Sequence, residues 1–512
     1  MNLSTLKRSA DYALLAKDSL RLKTSSNEHV QQTVRKHIAS RLGKLRGLPQ
    51  KIGQMLSFSA EQNDKSEAFE NLQESAEPLP FAEISAVIQE NWGCELDQIV
   101  KHIEHHGKAA SLGQVHRAQL QDGQEVAIKV QYPGIRQAIA TDMKMLGWLS
   151  LPIGNLNQGF DLKGYRSVIM DDLDEELDYH KEAANQQEFL KNNAHSDFVI
   201  VPEVNTELST EKVLVTTWEN GDTWAEVQQN WPAETKQLLG KRLLAWFLES
   251  LFDHGLLHAD LHPGNLRFIY HQKHPKIVLY DYGSVYRPSA EKRFALLRLI
   301  QAAMHQHESP LGLMLALGFS EEYLSPLSKK LPSLCRVLFE PFCVEYPYDV
   351  ESWNLSTRIS DILGNDRLNF RVAGPPDLIF LLRAFHSIRN YMSGLNSNVS
   401  WQRTIQPLID KFAIEIAQVK TPITQSNEDF SSMAKHLKIR VTRNKQVKAE
   451  ITVYASGIDR IDQLLDEDVK KKIAEQELDL EKIVAEVRAR GYTPGPVFSF
   501  EETGKEIKVW LE

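Results

Sequence analysis

His258-Ala259-Asp260-Leu261-His262-Pro263-Gly264-Asn265 and, sixteen residues beyond Asn265, Asp281-Tyr282-Gly283 are the most informative segments of this chain. The apolar run Ile277–Tyr280 leads into the second segment and reads as a strand that ends at Asp281. A polyphosphate needs its charge neutralised, usually by Mg²⁺ held on oxygen ligands. Asn265 and Asp281 can supply such oxygens, and Asp260 can orient or deprotonate an attacking hydroxyl. His, Asp and Asn are also common in polar loops with no chemistry, so the segment needs support from elsewhere in the chain.

That support lies upstream. Val115–Leu120, the turn Gln121-Asp122-Gly123 and Glu125–Tyr132 read as a hairpin, with Val126, Ile128 and Val130 alternating along its second strand. Val126-Ala127-Ile128-Lys129 on that strand matches the pattern in which a lysine reaches the α- and β-phosphates of a nucleotide. Such a lysine needs a carboxylate partner. A long acidic helix expected over about 165–193 offers Glu176, Asp178 and Glu182; on one helix Glu176 and Asp178 fall on different faces, whereas Glu176 and Glu182 are rough neighbours. Lysine, helix glutamate, His-x-Asp…Asn and Asp-x-Gly in this order are the parts of a kinase-fold phosphoryl-transfer site. Where a glycine-rich loop would cover the phosphates, this chain carries Lys108-Ala109-Ala110-Ser111-Leu112-Gly113-Gln114-Val115-His116. Alanine does not freely adopt the positive φ that lets backbone N–H groups cradle a phosphate, so this loop should grip nucleotide differently.

Composition sets the outer bounds. At roughly 100–200 residues per domain, 512 residues suggest three or four domains. Hydrophobic residues at 42% and charged residues at 25% are ordinary globular values, which excludes a fibrous or disordered chain. A net charge of −9 argues against a general nucleic-acid binder. Cys94, Cys335 and Cys343 cannot form a disulfide framework, and no Cys-x-x-Cys pair is present to hold zinc. No run reaches the 18 or so apolar residues of a membrane span, because Glu249 and Arg383 break or bound the best candidates. Lys7, Arg8, Asp11, Lys17 and Asp18 likewise interrupt any signal-peptide core, so a cytoplasmic protein is expected. The first 51 residues hold eleven Lys and Arg against Asp11, Asp18 and Glu28. This basic arm is a candidate peripheral contact for an anionic membrane, although such runs also serve as solvated helix faces.

Texture along the chain divides it into four segments. Residues 1–95 read as a helical N-terminal extension, 96–220 as a strand-rich lobe, 221–425 as a helical lobe, and 431–512 as a small α/β module. A polar, proline-containing linker is expected at 421–435. In the module, Leu437–Thr442 with Val447–Tyr454 reads as one hairpin and the strands around Thr503-Gly504 as another, with two helices between them over about 457–490. The expected fold class is α+β, a bilobal kinase-like fold with a helical extension and this module.

Ala109-Ala110-Ser111-Leu112-Gly113-Gln114-Val115-His116, Lys51-Ile52-Gly53-Gln54, Glu176-Leu177-Asp178 and Glu182-Ala183-Ala184-Asn185 together closely resemble the UbiB/ABC1/ADCK family of atypical kinases, over about residues 40–400. The resemblance implies that Lys129 pairs with Glu182 and holds the phosphates, that Asn265 and Asp281 bind Mg²⁺, and that Asp260 is the catalytic-loop aspartate. It places Lys108, Ala109, Ala110, Ser111, Lys129 and Glu219 against ATP or ADP. It makes Lys51 and Gln54, with the acidic partners Glu176 and Asp178, a regulatory extension over the site that limits access for protein substrates. It also implies ATPase or kinase activity linked to isoprenoid quinones and related lipids at membranes. A nucleotide-binding regulator without turnover and a small-molecule kinase of the aminoglycoside type are the competing expectations. Lys108 stands where the family usually has alanine, Leu261 where it often has proline, and residues 431–512 where some bacterial members carry a membrane hairpin.

Overall fold

The computed structural model describes residues 78–110, 112–148, 162–271, 274–306, 308–422, 430, 433–444, 446–465, 469–470, 473, 479–502 and 505–512. Lys51, Gln54, the basic arm, Ser111 and most of the expected linker lie outside them. The chain forms two compact units. Among the described residues, the first comprises those up to Leu243, Leu256–Arg287 and Pro376–Leu395; the second comprises those in Leu244–Gly255, Pro288–Pro375 and Asn396–Glu512.

In the first unit, helix α1 (Phe81–Trp92) precedes strands β1 (Val100–Ile103), β2 (Lys108–Ala109), β3 (Gly113–Leu120) and β4 (Glu125–Gln131). Helices α2 (Ile135–Trp148), α3 (Leu162–Glu176) and α4 (Tyr179–Asn192) follow, then β5 (Val199–Ile200) and β6 (Val213–Thr217). The antiparallel sheet runs β1-β3-β4-β6, with β2 on β3. Alternation along β4 buries Val126, Ile128 and Val130 completely and leaves Lys129 half-buried on the opposite face, beside Val115 of β3 and Leu214 of β6. Beyond helices α5 (Trp224–Asn230) and α6 (Ala233–Glu249) come β7 (Leu257–His258), β8 (Leu266–His271), β9 (His274–Leu279), β10 (Val285–Tyr286) and helix α7 (Leu378–Gly394). The β8–β9 hairpin carries β5 in parallel on β9, and β7 pairs with β10 through only two residues each.

The expected single helix over 165–193 is broken. α3 stops at Glu176, and α4 starts at Tyr179 with Asp178 as its cap, Asp178 Oδ1 accepting from the His180 N–H at 3.0 Å. The Tyr179 N–H turns instead to the Glu211 carbonyl, which ties the break to the loop before β6.

Three residues of the Gly-Gln-Val-His loop are structural. A Cβ at Gly113 would lie 2.2 Å from the Val130 carbonyl oxygen, so only glycine fits. Gln114 clasps the Leu79 backbone, its Oε1 accepting from the N–H at 2.7 Å. Buried His116 meets the Glu104 carbonyl at 2.7 Å through Nδ1 and the Gln114 amide nitrogen at 2.8 Å through Nε2. That amide nitrogen can only donate, so the hydrogen-bond pattern assigns the ring proton to Nδ1 and makes Nε2 the acceptor. Burial lowers the pKa of His116 below its usual 6.5, and protonation would turn two donors against each other. Because the unfolded chain binds that proton more readily, this contribution to stability is intact above about pH 6.5 and declines as the pH falls through that value. Denaturant unfolding at pH 7 and pH 5 is expected to show a lower midpoint at pH 5, with a smaller drop in His116→Gln. An equal drop in the two proteins would exclude His116 as its source.

The second unit joins helices at Ala290–His305, Pro310–Ala316, Leu331–Leu338, Leu355–Leu363 and Trp401–Lys411 to a four-stranded antiparallel sheet. Its strands are β11 (His436–Arg443), β12 (Gln446–Tyr454), β13 (Gly495–Glu502) and β14 (Lys505–Leu511), in the order β12-β11-β14-β13. Phe498 pairs with Val509 and Phe500 with Ile507, all four buried. Of the expected helices between the hairpins, Leu480–Ala489 and the short Ile461–Leu464 are among the described residues. One apolar core joins Leu299, Leu313 and Leu334 of the helices to Leu437, Ile458 and Val509 of the C-terminal segment. Among the described residues no helix is long and apolar enough to cross a membrane.

Candidate active site

A cleft of about 580 Å³ in the first unit is walled by β2, β3, β4 and the segment Thr216–Gly221, and floored by residues of the 260–267 and 280–282 segments. Lys129, Glu182, Asp260, Asn265 and Asp281 all line it, so residues spread over 152 positions converge. Lys129 Nζ lies 2.6 Å from Glu182 Oε1 and 3.2 Å from Asp281 Oδ2. The same Glu182 oxygen accepts the Tyr282 N–H at 3.3 Å, so this carboxylate ties the strand lysine to the Asp-x-Gly segment. The helix break makes this possible, because it puts Glu182 in the first turn of α4.

Burial opposes the charge on Lys129, but the carboxylates of Asp281 and Glu182 outweigh it and hold its pKa well above the usual value. Lys129 is therefore an ammonium at physiological pH. Asp281 itself has φ 57°, a left-handed backbone that Asp tolerates better than most residues and that is enriched at functional sites. Asn265 Nδ2 donates to the Asp260 carbonyl at 3.0 Å and to Asp260 Oδ2 at 3.3 Å. The Asn265 carbonyl accepts the Tyr280 N–H at 2.9 Å, which joins the loop to the end of β9.

His258 lies wholly inside. Its Nδ1 accepts the Asp260 N–H at 3.2 Å and its Nε2 faces the Tyr280 carbonyl at 3.0 Å, so the ring is a neutral spacer between the two segments. Burial lowers its pKa. Tyr282 packs against His258 and Phe189 at ring-centroid separations of 5.6 and 5.2 Å, which carries the contact onto α4.

Lys108, Ala109 and Ala110 line the cleft at β2, and Glu219 lines it beyond β6, where its carbonyl accepts the Tyr280 hydroxyl at 2.8 Å. Glu176 also lines the cleft; Asp178 does not, and serves as the cap of α4. Sequence reasoning missed Trp218, Arg267 and Tyr280, which also line the cleft. Tyr280 was within reach, since it immediately precedes Asp281; Trp218 and Arg267 carried no spacing signal.

A family model described as the ABC1 atypical kinase-like domain matches residues 71–312. The chain is 29% identical over 355 residues to the atypical kinase COQ8B, mitochondrial, of Rattus norvegicus, covering 67% of this chain and 66% of that protein. It is also 29% identical over 368 residues to the atypical kinase COQ8, mitochondrial, of Saccharomyces cerevisiae, covering 69% of this chain and 71% of that one. Over this domain the chain is similar to the UbiB/ABC1 atypical kinases. Among solved structures, the chain resembles Rv3197 of Mycobacterium tuberculosis, solved in complex with erythromycin, at 26% identity and a TM-score of 0.53. That match covers 74% of this chain and 97% of the mycobacterial one, and the fold is kinase-like.

Proposed function

We propose that the cleft binds Mg²⁺–ATP or Mg²⁺–ADP and that the protein transfers the terminal phosphoryl group of ATP to a small-molecule hydroxyl or to water, in support of isoprenoid quinone or related lipid metabolism. The observation that carries this reading is the Lys129 ammonium held between Glu182 and Asp281 in a cleft also lined by Asp260 and Asn265. Lys129 is positioned to neutralise the inner phosphates. Donation from Asn265 Nδ2 to Asp260 leaves the amide oxygen of Asn265 as a cation ligand, and with the Asp281 carboxylate it forms the hard-oxygen set that Mg²⁺ takes. Bound there, Mg²⁺ would offset charge on the phosphate oxygens. Asp260 then orients the attacking hydroxyl. Lys108, Ala109, Ala110 and Ser111 cover the phosphates, and Glu219 borders the base. The extension bearing Lys51 and Gln54 restricts access to the site, with Glu176 of the cleft wall as its acidic counterpart. The basic first 51 residues supply a peripheral contact with anionic lipid. The lipid link rests on the resemblance to the UbiB/ABC1/ADCK family, and the acceptor it implies is a quinone-related phenol or alcohol.

Asp281→Asn tests the metal assignment. Removing one carboxylate under-neutralises the phosphates and is expected to weaken MgATP binding at least about tenfold, roughly 1.4 kcal/mol. Asparagine also accepts a left-handed backbone, so the change isolates charge from strain. The measurement is a thermal-shift titration with MgATP; an unchanged midpoint shift in the variant would sink the assignment. Phosphate release by the wild type, with and without anionic vesicles and quinone-like phenols, then separates an enzyme from a nucleotide-binding regulator.

A further inference from the structure

Only two residue pairs join β7 to β10, yet these short strands carry the segments bearing Asp260 and Asp281. So few ladder hydrogen bonds cannot by themselves fix a separation on which both carboxylates depend. A side chain from far along the chain closes the gap. Arg383, on α7 and 2% exposed, donates through Nε to the Ala259 carbonyl and through Nη2 to the Ser284 hydroxyl. Ala259 immediately precedes Asp260, and Ser284 follows Asp281 by three residues. The two are themselves linked, since the Ala259 N–H donates to the Ser284 carbonyl at 3.1 Å. The Ser284 hydroxyl in turn donates to Asp172 Oδ1 of α3 at 2.9 Å, so a carboxylate stands one hydrogen bond from the group that the buried guanidinium contacts. Lower on the same helix, the Tyr391 hydroxyl donates to the Leu261 carbonyl at 3.1 Å.

We infer that Arg383 is a positioning residue that staples the Asp260 segment to the Asp281 segment, so that both carboxylates face the same phosphate. This rests on the nucleotide reading above. The chemistry selects arginine in particular. A planar guanidinium presents two donors at fixed spacing to two acceptors on different segments, whereas a lysine ammonium on its flexible stem cannot hold both in one plane. Neither acceptor touches the cleft, because Ala259 and Ser284 are both fully buried away from it. Arg383 therefore acts through the Ala259 carbonyl and the Ser284 hydroxyl rather than on the cleft itself, and its loss should misplace Asp260 relative to Asp281 while leaving Lys129 and Glu182 paired.

The test compares wild type, Arg383→Met, Arg383→Lys and Ser284→Ala as full chains. Amide hydrogen exchange without nucleotide is expected to quicken in both the 259–265 and 281–285 segments of Arg383→Met, with the β3–β4 hairpin unchanged. A rise in neither segment, or in one alone, overturns the staple whatever the wild type does with nucleotide. Absence of MgATP binding by the wild type sinks the nucleotide reading instead, and the exchange experiment still decides the staple. Where the wild type turns over, Arg383→Met should lose about tenfold or more in turnover while its MgATP affinity stays within about threefold, since small misplacements of reacting groups are costly. Arg383→Lys keeps a buried cation and should recover thermal stability without recovering turnover. Turnover restored fully by lysine, or affinity and turnover falling together, would make Arg383 merely structural.

Discussion

Arg358→Met should cost about 3–5 kcal/mol of folding stability, because it leaves two buried carboxylates without their shared cation. Arg358 is 1% exposed; its Nη2 contacts Glu340 Oε2 and lies 2.7 Å from Asp459 Oδ2. Its Nε donates to the Tyr492 hydroxyl at 3.1 Å and its Nη1 to the Trp353 carbonyl at 3.2 Å. Glu340 also accepts the Tyr348 hydroxyl at 3.0 Å, and Asp459 accepts Arg488 Nε at 2.7 Å. Burial opposes the charge on Arg358, and the acids around it hold its pKa well above the usual value, so every pH in an ordinary titration finds it cationic. Methionine fills comparable space, so the loss reports the charge together with its hydrogen bonds rather than a cavity. Urea unfolding of the second unit gives the number, and a change below about 1 kcal/mol would mean that the acids relax to water or protonate at little cost.

Asp260→Asn is expected to cut ATP turnover by about 10²–10⁴ while leaving MgATP affinity nearly unchanged, the signature of a group that acts on the proton of the attacking hydroxyl. Asparagine retains an oxygen to accept from Asn265 Nδ2, so the loop geometry survives and only the carboxylate is lost. Steady-state phosphate release, read beside the thermal shift given by MgATP, separates the two quantities. Turnover within a few-fold of wild type would remove Asp260 from the chemistry.

Much of the site was legible because it is written in short-range patterns. The alternation of Val126, Ile128 and Val130 fixes the face on which Lys129 stands, and the five-residue step from Asp260 to Asn265 spans one loop turn closed by their own side-chain hydrogen bond. The break at Leu177–Asp178 was not legible. An N-cap aspartate at 178 is invisible directly after Asp171-Asp172-Leu173-Asp174-Glu175-Glu176-Leu177, where acids already crowd the helix. Arg383 and Arg358 were hidden for another reason. Each sits on an amphipathic helix where an arginine ordinarily reads as solvent-facing, and the partners that bury it lie far off in sequence, 124 residues away for Ala259 and 134 for Tyr492. No local period encodes such pairings.

The core that Leu299 and Leu334 share with Leu437 and Val509 bears on how this chain can be cut and how it can have evolved. A protein ended near residue 420 would not be a kinase relieved of an appendage. It would carry helices whose apolar faces have lost their cover, and Arg358 and Glu340 deprived of Asp459. The C-terminal strands were therefore not gained, and cannot be shed, as a bead on a string: their sequence and that of the Leu331–Leu363 region must change together. A substitution that enlarges Leu437 or Val509 should find its compensating partner among those helices, far upstream in the sequence.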